Sequence, residues 1–394
     1  MQLAYLFERF PAFSQTFCYR EVAELLRQGA KIDIYSLRRP TDEPLQDWDE
    51  QIVQRVHYLP EEEPLVREVE RLLRKRKPPQ AREAINKWGR KTDFLRLRQA
   101  VYVGLRLQDT GIRHVHAHFA GMAARTAYWI DQFFGIGFSF TAHANDIFAP
   151  REFEIGLDKL VDRARLIVTE TDYAANFLRE RFPERAERIH RVYNGVDLAE
   201  FRRADFSADV PTIISVGRLI EKKGLRYLIE ACRSVKEQAR SFRCEIIGEG
   251  PLEAELRAQI EQVGLNHQVE LLGPKPQRDL VGYLVNATVF VLPSVIDAQG
   301  GMDNLPSVIM EAMAARLPVI STPIGGIPEM VVGDVTGILV PPGDSAALGD
   351  AIEKLIVDLP LARRLGENGR QRARELFAIE KSARALRDLF AALG

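Results

Sequence analysis

The sequence predicts an α/β protein built from two doubly wound, Rossmann-like domains, and three observations carry that expectation. Short apolar, β-rich runs alternate with amphipathic helical patterns almost throughout, the mark of parallel sheets with helices on both faces. The runs are too many for one comfortable sheet. The alternation also restarts after the polar stretch FRRADFSADVP (201–211), which places a junction near residue 205. At 394 residues the chain is long enough for two domains.

In the first half the predicted strands are LAYLF (3–7), KIDIYSL (31–37), HVHAHF (114–119), GFSFTAH (137–143) and RLIVT (165–169). In the second half they are PTIISV (211–216), FRCEII (242–247), QVELL (268–272), TVFVL (288–292), PVIST (318–322) and GILV (337–340). Most lead into a helical pattern such as GLRYLIEACRSVKEQ or PLEAELRAQIEQVG. No repeat with a period of 20–50 residues is visible.

Composition narrows the function classes. With 46% hydrophobic and 28% charged residues the chain reads as soluble and globular, and a net charge of −1 gives no global field for nucleic acid. Cys18, Cys232 and Cys244 are scattered without metal-ligand spacing and read as buried thiols of a reducing compartment. The opening run MQLAYLF shows no charged-then-apolar leader, and no stretch reaches the roughly 18–20 apolar residues of a membrane span. The expectation is a cytoplasmic protein.

One segment departs from this neutrality. Between Arg67 and Arg98 there are twelve Lys/Arg and four acids, a local charge of +8. Two readings stand: a solvated helical face, or a patch for an anionic membrane surface or polyanionic acceptor, where each cation contributes roughly 1 kcal/mol.

In open α/β sheets ligands bind beyond the carboxyl ends of the strands, so the residues after each apolar run are the ones to read. GEGPLE (248–253) imitates a dinucleotide fingerprint but has Glu253 where the third glycine belongs, and GIGFSF (135–140) precedes a strand instead of following one. No P-loop is present. VGRLIEKKG (216–224) follows PTIIS and carries Arg218 and Lys223 around a strand-to-helix turn. A planar guanidinium fork and a compact ammonium beside a helix N-terminus suit a diphosphate.

GMDNLPSVIMEAMA (301–314) follows the strand VFVL and holds two acids eight positions apart, Asp303 and Glu311. A helix is predicted to begin near Pro306, with Gly301 in the loop before it and the backbone amides of Asn304 and Leu305 beside Asp303. At about 1.5 Å per residue the two acids lie on the order of 12 Å apart, the length of a diphosphate with a ring at each end. One carboxylate could accept sugar hydroxyls and the other ribose hydroxyls, each bond contributing roughly 1.5–3 kcal/mol.

The run DNLPSVIMEAMAARLPVISTPIGGIPE (303–329) resembles the signature of the family 4 retaining glycosyltransferases of GT-B fold. FPAFSQTF (10–17), HVHAHF, FSFTAHANDIF (138–148), VYNGVDLAEF (192–201), SVGRLIEKKG, IIGEGPL and GILVPPGD (337–344) support the resemblance over most of the chain. Within the family the wording is similar to bacterial exopolysaccharide enzymes of the colanic acid and amylovoran type. The resemblance implies an acceptor-binding domain over 1–204, a nucleotide-sugar-binding domain over 205–375 facing it across a cleft, and a C-terminal helix over 376–394 that packs back on the first domain.

It further implies a metal-independent enzyme with no cofactor, whose substrates are a UDP- or GDP-linked sugar and a saccharide or lipid-linked acceptor. Glu311 matches the family Glu that holds the ribose, and Asp303 matches the Glu that contacts the donor sugar, one methylene shorter. Arg218 and Lys223 match the diphosphate pair, His143 the first-domain histidine near the anomeric carbon, and Lys275 the border of the nucleobase. Ser14, Gln15 and Thr16 match the acceptor side, and they also suit the cap of a helix beginning near Thr16. His116 and His118 read equally as structural. Retention would follow from an oxocarbenium-like state in which the acceptor approaches on the face the diphosphate leaves. Two rival classes are a nucleotide-sugar-binding protein that has lost transfer, motivated by Asp303, and a doubly wound oxidoreductase or epimerase, disfavoured by the missing glycine fingerprint.

Overall fold

The computed structural model describes residues 2–393 except 42, 77, 79, 89–92, 150–151, 202–209 and 239. The expected junction near residue 205 lies outside the described residues, as do Lys77, Arg90 and Lys91 of the basic segment. The chain divides into two compact units, one of Met1–Glu43, Trp48–Val192 and Ala383–Gly394, the other of Pro44–Asp47 and Tyr193–Ser382.

The first unit is a seven-stranded parallel sheet of β1 (Gln2–Arg9), β2 (Lys31–Arg38), β3 (Val56–Tyr58), β4 (His114–His118), β5 (Gly137–Ala142), β6 (Leu166–Thr169) and β7 (Ile189–Arg191). Their order is 3-2-1-4-5-6-7, so the winding reverses between β1 and β4. The edge strands β3 and β7 were not among the sequence expectations. Each is three residues long, too short to show a period, and forms because a neighbouring strand offers it a ladder. Central strands are buried along their whole length: all six residues of β5 and all five of β4 are covered. Ala383, Leu386 and Phe390, from the helix Ile379–Ala391, share an apolar cluster with Leu3, Tyr5, Phe7, Ile34 and Leu166. Each such large apolar side chain removed from water contributes roughly 1.5–3 kcal/mol.

The basic segment is less uniform than its composition. In the helix Glu62–Lys75, Leu65, Val69 and Leu73 face the core, which leaves Arg67, Arg71, Arg74 and Lys75 outward. Arg71 pairs with Glu68 and Arg76 with Asp109, both at 2.6 Å. Arg96 and Arg98 are buried, and burial pulls the Arg96 guanidinium down to about 10. Asp93 is buried too, against Arg125 and the indole of Trp129. Among the described residues, therefore, part of the segment's charge is folded inward or paired.

The second unit is a six-stranded parallel sheet of β8 (Thr212–Val216), β9 (Arg243–Ile247), β10 (Val269–Gly273), β11 (Val289–Leu292), β12 (Val319–Ser321) and β13 (Gly337–Leu339). The order 10-9-8-11-12-13 reverses between β8 and β11. Beyond the carboxyl ends of those two strands lies the crevice where an open sheet takes a ligand. No helix among the described residues is long and apolar enough to cross a membrane, and all three cysteines are buried free thiols.

Candidate active site

In the second unit, β8 ends at Val216 and the chain turns through Gly217 and Arg218 into the short turn Glu221–Lys223, then into the helix Leu225–Glu237. Gly224 makes the joint: its φ is +65°, and a Cβ there would run into the carbonyl oxygen of Pro293. The carbonyl of Lys222 accepts from the amide of Val295 at 2.9 Å, so the turn is fastened to the exit of β11.

That fastening delivers two lysines to one carboxylate. Lys223 Nζ donates to both oxygens of Asp303 at 2.9 Å, and Ser294 Oγ donates to Oδ2 at 2.7 Å. Lys222 Nζ lies 3.9 Å from Oδ1 and donates to the carbonyl of Met302 at 3.3 Å. Burial of Asp303 works to raise its carboxyl, but Lys223 and Lys222, with the hydrogen bonds from Lys223 and Ser294, outweigh it and hold the group below the usual range. Burial pulls the Lys222 ammonium down while Asp303 opposes it, and Lys223 and Arg218 add like charge. Arg218 is itself exposed. Two lysines thus converge on one buried anion at the switch point, with the charge of Arg218 felt at Lys222.

Asn304 and Leu305 follow, both buried, and the helix Ser307–Ala314 begins one residue after Pro306, which stands at its N-cap. Glu311 is buried on that helix. Gly301 donates its amide to Asp297 Oδ1 at 2.7 Å and accepts from the amide of Asp297 at 2.9 Å, closing the loop before Asp303. Lys275 stands apart, its Nζ 5.8 Å from the ring centre of Tyr283. Among the expected residues, Lys223 and Asp303 are in direct contact; Lys222 and Ser294 join them without having been singled out. The doubled lysine in EKKG and the serine closing VLPS were the available signals, each too common to read alone.

In the first unit, His114, His116 and His118 alternate along β4 and so share one face, opposite Gly137, Ser139 and Thr141 of β5. Ser139 Oγ lies 2.8 Å from His114 Nε2 and 2.8 Å from His116 Nδ1, and Thr141 Oγ1 lies 3.0 Å from His116 Nε2. Burial pulls His114 down to about 4, aided by Arg165, and drives His116 well below its ordinary value. Both rings are therefore neutral at physiological pH.

The stripe continues into a charged chain. His118 Nε2 is 3.0 Å from Glu21 Oε1, which accepts from the Tyr5 hydroxyl at 2.7 Å. His118 Nδ1 is 3.3 Å from His143 Nε2, and His143 Nδ1 is 2.7 Å from Glu170 Oε1. His143 caps the helix Ala144–Phe148, and Asp146 Oδ2 accepts from its amide at 3.0 Å. Burial works to lower His143, but Glu170, by charge and hydrogen bond, with Asp146 and Glu21 outweighs it and the ring is raised above its ordinary value. Ligand atoms of Glu21, His116 and His118 come within 4.8 Å of one another. Each of those ring nitrogens also faces a hydroxyl, carboxylate or imidazole, so the trio is linked in a continuous hydrogen-bond network.

Ser14 is exposed, and Gln15 and Thr16 are half-buried, at the start of the helix Thr16–Arg27. The capping reading is corrected here: Gln15 occupies the N-cap and makes no side-chain cap bond. The preceding turn Phe13–Gln15 instead hands the chain over in helical form, and the Phe13 amide donates to Glu43 at 2.6 Å. The same helix brings the Phe17 ring to 5.0 Å from His143, with Phe119 at 4.2 Å on another side.

Comparison with known proteins follows the two units. Residues 14–200 match the family described as Glycosyltransferase Family 4, and residues 198–372 match Glycosyl transferases group 1. The amylovoran biosynthesis glycosyltransferase AmsK of Erwinia amylovora is 42% identical over 172 residues, 43% of this chain and 42% of its own length. The alpha-D-kanosaminyltransferase of Streptomyces kanamyceticus is 28% identical over 286 residues, 66% of this chain and 72% of its own. The chain spans about two fifths of the length of the curated relatives it matches at 42–47% identity. HepE of Anabaena, solved in complex with UDP, superposes with a TM-score of 0.73 at 18% identity, covering 100% of both chains, a likeness of fold of the GT-B kind.

Proposed function

This chain belongs to the glycosyltransferases, with a family 4 domain followed by a group 1 domain, and from that premise we propose that it moves a hexose from a UDP- or GDP-linked sugar to a saccharide or lipid-linked acceptor in exopolysaccharide or cell-surface glycan synthesis. The observation that carries the reading is the convergence of Lys222 and Lys223 on Asp303 beyond the ends of β8 and β11, with the charge of Arg218 acting on Lys222. A nucleoside diphosphate needs a concentration of fixed positive charge beside a helix start, and this one is built into the turn between β8 and the helix Leu225–Glu237.

In this reading Arg218 and Lys223 take the diphosphate oxygens, with the amides of Asn304 and Leu305 and the loop at Gly301 beside them. Glu311 takes the ribose hydroxyls and Lys275 borders the base. A carboxylate has about four lone-pair positions, and Lys223 and Ser294 occupy three of those on Asp303. What remains is room for one sugar hydroxyl. Lys223 likewise keeps a third N–H for a phosphate oxygen. As the glycosidic C–O bond breaks, negative charge grows on the leaving diphosphate, and the cations stabilise that charge without a bound metal. The acceptor hydroxyl enters on the same face and passes its proton to the departing phosphate oxygen, so the anomeric configuration is retained. In this reading His143, from the first unit, is the catalytic histidine near the anomeric carbon, and Ser14, Gln15 and Thr16 line the acceptor side.

A second reading, a nucleotide-sugar binder without transfer, is favoured by one observation, the engagement of Asp303 with Lys223. Thermal shift with UDP, GDP, ADP and dTDP, with EDTA throughout, tests the donor site on wild type and Glu311→Ala. At 100 times its dissociation constant the right nucleotide stabilises by about 2.7 kcal/mol, in wild type and not in the variant. No shift with any nucleotide overturns the donor site. Binding without sugar release from the matching nucleotide sugar, with or without acceptor, decides for the second reading. The exposed cations Arg67, Arg71, Arg74, Lys75, Arg82 and Lys87 fit a cytoplasmic protein that rests on an anionic membrane surface.

A further inference from the structure

The His143 ring presents no open nitrogen. Nδ1 faces Glu170 at 2.7 Å and Nε2 faces His118 Nδ1 at 3.3 Å. The far nitrogen of His118, Nε2, faces a second buried carboxylate, Glu21, at 3.0 Å. Two imidazoles therefore lie in line between two acids. A carboxylate only accepts, so each outer nitrogen carries a proton. Between the two inner nitrogens there is room for one proton: two would clash N–H against N–H, and none would set lone pair against lone pair. Three protons on four ring nitrogens give the pair one positive charge.

We propose that His118, held by Glu21 and Tyr5, is a positioning residue that keeps His143 an imidazolium by sharing a single proton with it. What His143 then brings to the reaction is a fixed charge at the carboxyl end of β5, beside the region where an open sheet receives its ligand. The functional half of this inference rests on the glycosyltransferase reading; the shared proton does not. The groups facing the pair are Tyr5 from β1, Cys18 and Glu21 from the helix Thr16–Arg27, His116 from β4, and Asp146 and Glu170 on the His143 side. Cys18 Sγ lies 3.4 Å from His118 Nδ1, and burial raises the thiol well above its ordinary value, so it stays an uncharged S–H beside the pair. Phe17 and Phe119 close the remaining sides of His143. In a parallel sheet covered on both faces such a polar chain has no use as packing, and it is satisfied link by link.

The direct test is nuclear magnetic resonance on the full chain labelled with ¹⁵N-histidine. A strongly downfield ring proton coupled to nitrogens of two histidines, lost in His118→Gln, is the expected result. Both rings found as neutral tautomers overturn the inference, as does a stoichiometric metal ion copurifying with the chain and ligated by His118. The functional arm compares the pH dependence of kcat in wild type, Glu21→Gln and Tyr5→Phe. Removing the Glu21 charge lowers kcat about ten- to hundredfold and moves the alkaline limb to lower pH. Tyr5→Phe keeps the packing but takes a donor from Glu21, which leaves more of its charge for His118 and moves the limb to higher pH. A uniform fall of kcat with neither limb displaced assigns His118 and Glu21 to stability alone and overturns the positioning role. A chain that shows the coupled proton but transfers no sugar overturns the proposed function and leaves the shared proton standing.

Discussion

Replacing Asp303 with Asn asks whether the lysine cluster of the second unit is held by charge. The carboxylate is buried, 6% exposed, and receives two donors from Lys223 and one from Ser294. The amide is the same size but neutral, and its NH2 end meets donors. Lys223 then loses its counter-charge in the interior and Lys222 keeps only the smaller attraction of Asp297, a change that costs about 3–5 kcal/mol. For a unit of this size each kcal/mol lowers Tm by about 2–4 °C, so the second unit should melt roughly 6–20 °C earlier. The sequence supplies an internal control: Trp48, Trp88 and Trp129 all belong to the first unit. Tryptophan fluorescence should keep its midpoint while far-UV circular dichroism gains an earlier transition. The double variant Lys223→Met/Asp303→Leu should recover a large part of the loss, because an apolar pair of similar volume replaces a buried ion pair at little cost. Single losses below 1 kcal/mol that simply add in the double variant would refute the coupling.

Three further outcomes follow from the same structure. Gly224→Ala forces a side chain into the left-handed region and against the Pro293 carbonyl, so it should destabilise the second unit by more than the roughly 1–2 kcal/mol of the backbone alone, read as a dichroism transition with tryptophan unchanged. The pH dependence of stability should differ between units. His143 is raised in the fold, so its contribution is present below the ordinary value of about 6.5 and is lost as pH rises through the folded value; Asp303 is lowered, so its contribution is present above about 3.9 and is lost as pH falls through the folded value. Glu170→Gln and Asp303→Asn should each flatten one limb only. Reversing Arg67, Arg71, Arg74, Lys75, Arg82 and Lys87 to Glu should abolish salt-sensitive sedimentation with anionic liposomes, and unchanged sedimentation would remove the membrane from the account.

The parallel strands were legible because a strand buried on both faces is mostly apolar along its length, and the sequence shows such runs directly: GFSFTAH, TVFVL and PTIISV contain β5, β11 and β8, each with one residue to spare. The edge strands β3 and β7 were not, since VHY and IHR carry no pattern of their own and depend on a neighbour's ladder. Asp303 and Lys223 could each be found from position after a strand. Their contact could not: it joins residues 80 apart in sequence, across a turn that the Val295 amide and the Met302 carbonyl fasten through Lys222.

The histidine chain shows the same limit from the other side. HVHAH has the alternation of a strand with one polar face, and in a sheet covered by helices that pattern is anomalous, because an unpartnered buried imidazole is costly. The anomaly was readable in the sequence; its resolution was not. The partners lie on different elements: Tyr5 on the neighbouring β1, Glu21 on the helix after it, Ser139 and Thr141 on β5, Glu170 after β6. Each is an ordinary residue in its own stretch. A polar residue inside a parallel strand therefore poses a question about the elements on either side of it, and here the residues that answer it are two acids whose charge requires the histidines between them to hold a proton.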